Sequence, residues 1–400
     1  MVSARTKINK RRVASYIGAG VIGGVQPLLG QYNFKTSQFS KMKAALARVS
    51  GGTGRGKIVC VGDSTTWGEG GGDSGSNMRV NAKERCWPTI VAKTLAAAGI
   101  PAGYENIYGN GAITTAGIPL SNLQNYYKTG FSPSNAWAAN AAMTAGGCLF
   151  ANATDTSAIT VILQTPCDKF ELADLTLPGN GIISYSIDGG AAVQLSQNVA
   201  SSYRRTVIDL GGVAAHTITI NRVSGTCFFA GYTAWNSTIP GFEIVNVGIG
   251  SAQTAEWVNA ATTYGPLNSM TNLASTADLV IIDLTINNAY LSPTTYNTTY
   301  PTQMQTIINA ARAGGADVML MTGNPSRVDI VPDSAQQNFR NALKALAVSN
   351  DLPMIDQWEK YTDWVALDAA GKMYNANHPN TAGYADLGAF VANTIRRWAA

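Results

Sequence analysis

Two patterns of apolar and polar positions divide the chain. In the first, short unbroken apolar runs alternate with longer stretches whose apolar residues recur at helical spacing. Ile58 to Val61 is such a run, rich in β-branched residues, and it stops abruptly at Gly62-Asp63-Ser64. An unbroken run of this kind is the mark of a strand buried on both faces. Before it, Phe39, Met42, Leu46 and Val49 predict a helix over Thr36 to Val49, stopped by Gly51-Gly52. After it, Trp87-Pro88 opens a helix to about Ala98, with proline in the first turn, and Asn106 to Gly111 reads as a short strand ending in a turn. The pattern returns late in the chain: strand Glu243 to Val247, helix Thr254 to Thr263, strand Leu279 to Leu284, helix Thr302 to Ala313, strand Asp317 to Thr322, helix Asp333 to Ser349, strand Met354 to Ile355, helix Tyr384 to Trp398. Alternation of this length predicts right-handed βαβ units and a parallel sheet covered on both faces.

The second pattern lies between these stretches. Ala158 to Leu163, Lys169 to Leu175, Ile182 to Ile187, Arg205 to Leu210 and His216 to Arg222 follow one another with only turn signals between them, among them the hairpin turn Asp188-Gly189-Gly190. Short strands at this spacing predict a small antiparallel β-sandwich. The expected organisation is a discontinuous α/β domain, residues 46–130 and 241–400, interrupted by a sandwich over residues 131–240.

Residues 1–45 form a third region. Arg5, Lys7, Lys10, Arg11 and Arg12 precede a glycine-broken apolar stretch that lacks a convincing cleavage site and is too short for a membrane span. We read residues 1–45 as an attachment segment ordered against a partner or a second copy of the chain, which would make the protein a homo-oligomer, with an atypical secretory signal as the alternative. Charge changes the picture little: 28 basic against 24 acidic residues leave a net +4, too small and scattered to indicate nucleic acid. The five cysteines show no metal-type spacing; Cys60 reads as core, and a Cys167 to Cys227 bridge within the sandwich is open.

A serine at the carboxyl end of a buried strand is a candidate nucleophile, and it needs a base and donors for an oxyanion. The chain has two histidines. His216 lies in an alternating strand and reads as structural; His378, in the polar loop Asn375-Ala376-Asn377-His378-Pro379-Asn380, is the candidate base. Two further strand ends offer donors: Gly248-Ile249-Gly250-Ser251 through backbone amides, and Asn287 through its side chain.

Gly62-Asp63-Ser64, the glycine of Gly248 to Ser251, Asn287 and His378 before Pro-Asn occur in the order of the four blocks of the SGNH (GDSL-type) hydrolases, which the chain resembles from Lys57 to its end, insertion apart. The resemblance implies a flavodoxin-like three-layer α/β/α domain with a parallel sheet, carrying the inserted, jelly-roll-like antiparallel sandwich. It implies Ser64 as nucleophile, His378 as base, and an oxyanion hole of the Ser64 amide, the Gly250 or Ser251 amide and the Asn287 side chain, with neither metal nor organic cofactor. The family's Asp-x-x-His block reads Asn375-x-x-His378 here, so the third triad position holds an amide; Asp356 is an alternative acceptor for the imidazole. Trp67, Trp87 and Tyr290, near the motif strand ends, are candidates to stack on sugar. The resemblance implies a serine esterase removing O-acetyl groups from a bacterial surface polysaccharide, with the sandwich binding carbohydrate, in a phage tail or virion or as a secreted protein. Its rivals are a catalytically weak virion protein with a structural or carbohydrate-binding role, and a lipid esterase or thioesterase.

Overall fold

The computed structural model describes residues 27–72, 80–113, 128–134 and 136–400. Its central element is the strand Gly56–Gly62, buried at every position. Val59 and Val61 point into one apolar layer. Ile58 and Cys60 point into the other. Leu279–Asp283 and Phe242–Asn246 pair with it in parallel on its two edges. The full sheet runs Gln31–Tyr32, Met354–Ile355, Asp317–Met321, Leu279–Asp283, Gly56–Gly62, Phe242–Asn246, Ala102–Gly103. The chain builds outwards from the Ser64 strand first on one side and then on the other, so Ser64 ends the strand where the direction reverses. A crevice opens at the carboxyl edge of a sheet at such a point.

Helices cover both faces. One layer holds Ser40–Ser50, Trp87–Ala97 and Thr381–Ala399, the other Pro266–Ala274, Thr299–Ala313 and Asp333–Ser349. The predicted three-layer α/β/α domain is therefore present. Where Thr254 to Thr263 predicts one helix, the chain makes the short turn Thr254–Trp257 and then a separate helix opened by Pro266, because proline's fixed φ and missing N–H suit a first turn.

The N-terminal region departs from the expectation for residues 1–45. Gln31–Tyr32 adds an antiparallel strand to Met354–Ile355. The Gln31 side chain donates to Thr394 Oγ1 at 2.9 Å and accepts from Trp398 Nε1 at 2.9 Å. Residues 27–45 thus belong to the α/β domain, where they cover a sheet edge that would otherwise present unpaired backbone groups. Residues 1–26 lie outside the described residues, and with them the rest of the attachment segment.

Asn106–Tyr108 also departs: it joins the sandwich, pairing antiparallel with Gly231–Trp235. The sandwich has a five-stranded and a four-stranded antiparallel sheet, accompanied by a three-stranded one. Phe131, Ile159 and Ile218 from one sheet meet Phe170, Ile208 and Tyr232 from the other in its core. The opposite face of the four-stranded sheet, through Ala173, Leu175 and Tyr203, is continuous with the apolar layer of Val245 and Val280 in the α/β domain. Ala145 N–H donates to Ser269 Oγ at 2.7 Å, and Arg205 Nη2 to the Asn272 carbonyl at 3.1 Å, across the same junction. Cys167 and Cys227 are each buried and unbridged, so the bridge left open by the sequence is not formed and the sandwich core is held without a covalent link. His216 precedes the strand Thr217–Ser224, with Nδ1 on Asp188 Oδ2 at 2.7 Å and Nε2 on the Gly212 carbonyl at 2.9 Å, a structural role as the sequence suggests.

Because the sandwich and the α/β domain share an apolar layer, they should unfold together. Leu175→Ala, at the junction, is expected to cost about 2–5 kcal/mol, the usual range for a fully buried leucine. Denaturant unfolding followed by tryptophan fluorescence and far-UV circular dichroism should stay a single coincident transition at a lower midpoint. Two separated transitions would contradict the shared layer.

Candidate active site

Ser64 opens the four-residue helical turn Ser64–Trp67 directly after the central strand. Asp63 caps the turn, accepting from the Thr65 N–H at 2.9 Å and the Thr65 hydroxyl at 2.8 Å. Gly68 closes it in the left-handed region at φ 112°, against Cys86 and the Ala82 backbone. The turn also sits tightly on its neighbours: a Cβ on Gly248 would lie 2.3 Å from the Trp67 nitrogen, so the adjacent strand end accepts only glycine.

His378 reaches Ser64 from the loop before the last helix, with Nε2 2.9 Å from Ser64 Oγ. Asn375 Oδ1 accepts from the Asn377 N–H at 2.9 Å, from the His378 N–H at 2.8 Å, and contacts His378 Nδ1 at 3.1 Å. Two backbone donors on one side-chain atom identify that atom as the amide oxygen, since an amide nitrogen there would face two N–H groups. Nδ1 must then carry the proton, and Nε2 is left with its lone pair towards Ser64. The loop is anchored by Asn324 Nδ2 on the Asn377 carbonyl at 2.9 Å and Trp364 Nε1 on the Asn375 carbonyl at 3.2 Å. Asp356, the alternative acceptor, lies elsewhere. It is held by Arg340 and Lys344 and caps the helix Gln357–Tyr361.

The donors differ from expectation at one position. The Gly250 N–H is taken by the Gly111 carbonyl at 2.7 Å, because this turn adds a parallel bridge between Gly250 and Ala112. Ser251, held at φ 65°, offers the next N–H, so of the two amides left open it is Ser251 that remains available. Asn287, at the start of the helix Ile286–Leu291, donates through Nδ2 to the Ala252 carbonyl at 3.1 Å, which sets its side chain beside the same turn and leaves its second amide proton. The Ser64 N–H lies in the first turn of its helix, where no intrahelical acceptor exists. Among the aromatic candidates, Trp67 is 4% and Trp87 0% exposed. Both are interior side chains and present no face to a sugar; Trp67 packs against Gly111, whose missing Cβ makes room for the indole. Tyr290 is 48% exposed and stays available.

The structure adds residues that sequence reasoning missed. Asp283 ends the neighbouring strand wholly buried, with Oδ2 3.3 Å from both the Thr65 and the Thr66 hydroxyl. Burial, then the proximity of Asp63, holds Asp283 well above the usual carboxylate range, while burial pushes Asp63 up to about 6. The signal was present in Leu279-Val-Ile-Ile-Asp283, an acid closing an apolar strand. Glu69 is the second addition, with Oε2 3.9 Å from His378 Nε2.

Among the described residues, no group of three or more His, Cys, Asp or Glu could hold a metal ion, and no helix is long and apolar enough to cross a membrane. Residues 222–385 match the model of the GDSL-like Lipase/Acylhydrolase family. That segment contains the Gly248 to Ser251 turn, Asn287 and His378, while Ser64 lies ahead of it, across the insertion. A solved structure described as "Peptidoglycan O-acetylesterase in action, 5 min" superposes with a TM-score of 0.64 at 16% identity, over 92% of this chain and 98% of that one. That likeness shows a common fold, sandwich included. A lipase/acylhydrolase from Enterococcus faecalis matches 39% of this chain and 78% of its own at 18% identity, TM-score 0.30. A family two carbohydrate esterase from Cellvibrio japonicus matches 63% of this chain and 91% of its own at 11% identity, TM-score 0.27. No curated protein sequence matches significantly.

Two measurements bear on this geometry. Nitrogen NMR of the two histidines at pH 8 should show His378 protonated at Nδ1, and Asn375→Ala should convert it to a mixture of tautomers; an Nε2-protonated ring in the unaltered protein would refute the assignment. The carboxylates predict a stability effect. Both have folded pKa values above the ordinary 3.9 or so of an unfolded aspartate, so their contribution is complete below about pH 4 and falls as pH rises, for Asp63 through about 6 and for Asp283 through its own raised value. Asp283→Asn removes a carboxyl that burial keeps protonated in the folded state and that ionises readily only on unfolding, and should raise the melting temperature more at pH 8 than at pH 5. An equal change at both would mean that folding does not raise the Asp283 pKa.

Proposed function

We propose that the protein is a serine O-acetylesterase of the GDSL-like lipase/acylhydrolase family, whose model matches residues 222–385, acting on an acetylated glycan of the bacterial surface. The observation that carries the proposal is the 2.9 Å contact between Ser64 Oγ and a His378 nitrogen whose lone pair Asn375 has turned towards it. His378 Nε2 takes the Ser64 hydroxyl proton as Oγ attacks the acetyl carbonyl. The Ser64 and Ser251 amides and the Asn287 side chain receive the developing oxyanion. Nε2 then returns the proton to the departing sugar hydroxyl, and a water activated by the same nitrogen releases acetate from the acyl-enzyme.

The third triad position supports activity despite its amide. In a serine protease, the Asp to Asn change there costs about 10⁴ in turnover, through the wrong tautomer. Here the loop backbone fixes the amide oxygen towards Nδ1, which removes that part of the loss. An acetyl group on a polar alcohol suits a site bordered by the Ser251 turn and Asn287. Likeness over nearly the whole chain to a protein described as a peptidoglycan O-acetylesterase supports a cell-envelope glycan as the polymer. On this reading the sandwich contacts the glycan, Tyr290 lines the approach, and residues 1–26 attach the protein to a virion, a partner or a second copy.

Ser64→Ala is expected to abolish acetate release from acetylated peptidoglycan or capsular polysaccharide, and to abolish labelling by a fluorophosphonate probe, with the fold unchanged. Turnover should fall on acidification, because protonation of His378 Nε2 removes the lone pair that faces Ser64 Oγ. Undiminished turnover in the alanine variant, or labelling at another serine, would remove the esterase reading.

A further inference from the structure

An amide at position 375 can orient the imidazole but carries no charge. When Nε2 accepts the Ser64 proton the ring becomes a cation, and a triad carboxylate stabilises it where Asn375 cannot. The structure nevertheless holds a carboxylate at the other end of the ring. Glu69 follows the Ser64 turn, and its N–H donates to the Ser64 carbonyl at 2.9 Å. The Glu69 carbonyl accepts from the Tyr384 hydroxyl at 2.6 Å. Two residues already in the site's frame therefore fix the Glu69 backbone, and its Oε2 lies 3.9 Å from His378 Nε2, with the Glu69 and His378 side chains only 14% and 16% exposed. At such a distance, partly screened from solvent, a carboxylate favours the protonated ring. Gly70 makes the approach possible: at φ 97°, any Cβ there would meet the Pro379 carbonyl at 2.3 Å and His378 Cβ at 3.1 Å.

We propose that Glu69 is a positioning residue that acts through His378, supplying from the Nε2 side the negative charge that Asn375 does not supply from the Nδ1 side. The work of one triad carboxylate is then divided: Asn375 sets the tautomer and Glu69 stabilises the imidazolium. The proton balance is unchanged, since the proton passes from Ser64 Oγ to Nε2 and on to the leaving alcohol, and Glu69 takes no part in the transfer. The proposal rests on the esterase reading for its kinetic part only. Among the described residues, ionisable groups on the neighbouring elements include Asp63, one residue before Ser64, Tyr384 at the Glu69 carbonyl, Tyr374, whose N–H donates to the His378 carbonyl, and Arg327, whose N–H donates to the Ala376 carbonyl.

The test combines a titration with a double-mutant cycle. With two histidines in the chain, the His378 pKa can be followed by NMR, with His216 as internal control. Glu69→Gln should lower it by about one pH unit, the size expected for one nearby charge, whereas Glu69→Asp should lower it less and His216 should not move. In turnover of a small acetyl ester, Glu69→Gln should lower kcat about tenfold at unchanged KM. Asn375→Asp should restore most of that loss in the Glu69→Gln background but add little to the unaltered protein. An unchanged His378 titration in folded Glu69→Gln, or an equal gain from Asn375→Asp in both backgrounds, would overturn the proposal. A shifted titration in a protein that cleaves no ester would support the charge contact and overturn the esterase reading.

Discussion

A strand with seven consecutive buried positions must be covered on both faces and both edges, and most of the structure follows from meeting that requirement. Two helical layers supply the faces. Phe242–Asn246 and Leu279–Asp283 supply the edges in parallel, which fixes where their carboxyl ends fall: Gly62 sits opposite Asp283, and the Ile249 N–H reaches the Gly62 carbonyl at 3.0 Å. Ser64, the Gly248 to Ser251 turn and Asn287 are therefore assembled by register rather than by contacts among themselves. Of the proposed site residues, His378 alone comes from outside the three strands, and it is delivered by the loop that caps the last helix.

That delivery separates two tasks that a single aspartate performs in the usual triad. Orientation requires only an acceptor held still, and the Asn377 and His378 amides hold one. Charge stabilisation requires a full negative charge but tolerates distance, because the Coulomb term falls only as the inverse of separation. A hydrogen bond to Asn375 and a carboxylate 3.9 Å away at the opposite nitrogen meet the two needs with different residues. Each contact is individually unremarkable, and a search for Asp-x-x-His finds only a missing acid.

The legible parts of the fold were those with a strong local signal. Asp333–Ser349 and Met354–Ile355 fall where the pattern puts them, and Ser64, His378, Asn375 and Asn287 came from motif order and from the scarcity of histidine. What failed depended on pairing. Asn106–Tyr108 is a strand as read, but strand propensity cannot say which sheet it joins. The Gly250 amide could not be excluded without knowing that the Gly111 carbonyl lies against it. Trp67 and Trp87 sit near motif ends in sequence, yet a residue one turn past a buried strand faces inwards as readily as outwards. Glu69 was invisible because its partner is more than 300 residues away, and the contact depends on a left-handed glycine between two loops.

The buried acids give the same argument an energetic side. Asp63 has to be a short side chain with an acceptor, since it caps the turn that presents Ser64, and the cap lies on the floor of the site. Asp283 reaches the same threonine hydroxyl from the next strand. The Thr65 hydroxyl has one proton, which its 2.8 Å contact assigns to Asp63. Its 3.3 Å contact with Asp283 becomes a hydrogen bond only when Asp283 is protonated and donates. A neutral Asp283 is what its burial favours. The pair thus braces the turn through one shared hydroxyl while exposing the interior to a single buried charge, and that charge is the cap. Stability is given up above about pH 6 in exchange for a Ser64 turn whose backbone is held in place, a trade that fits the proposed site, where His378, its orienting amide and the Glu69 carboxylate are gathered around that turn.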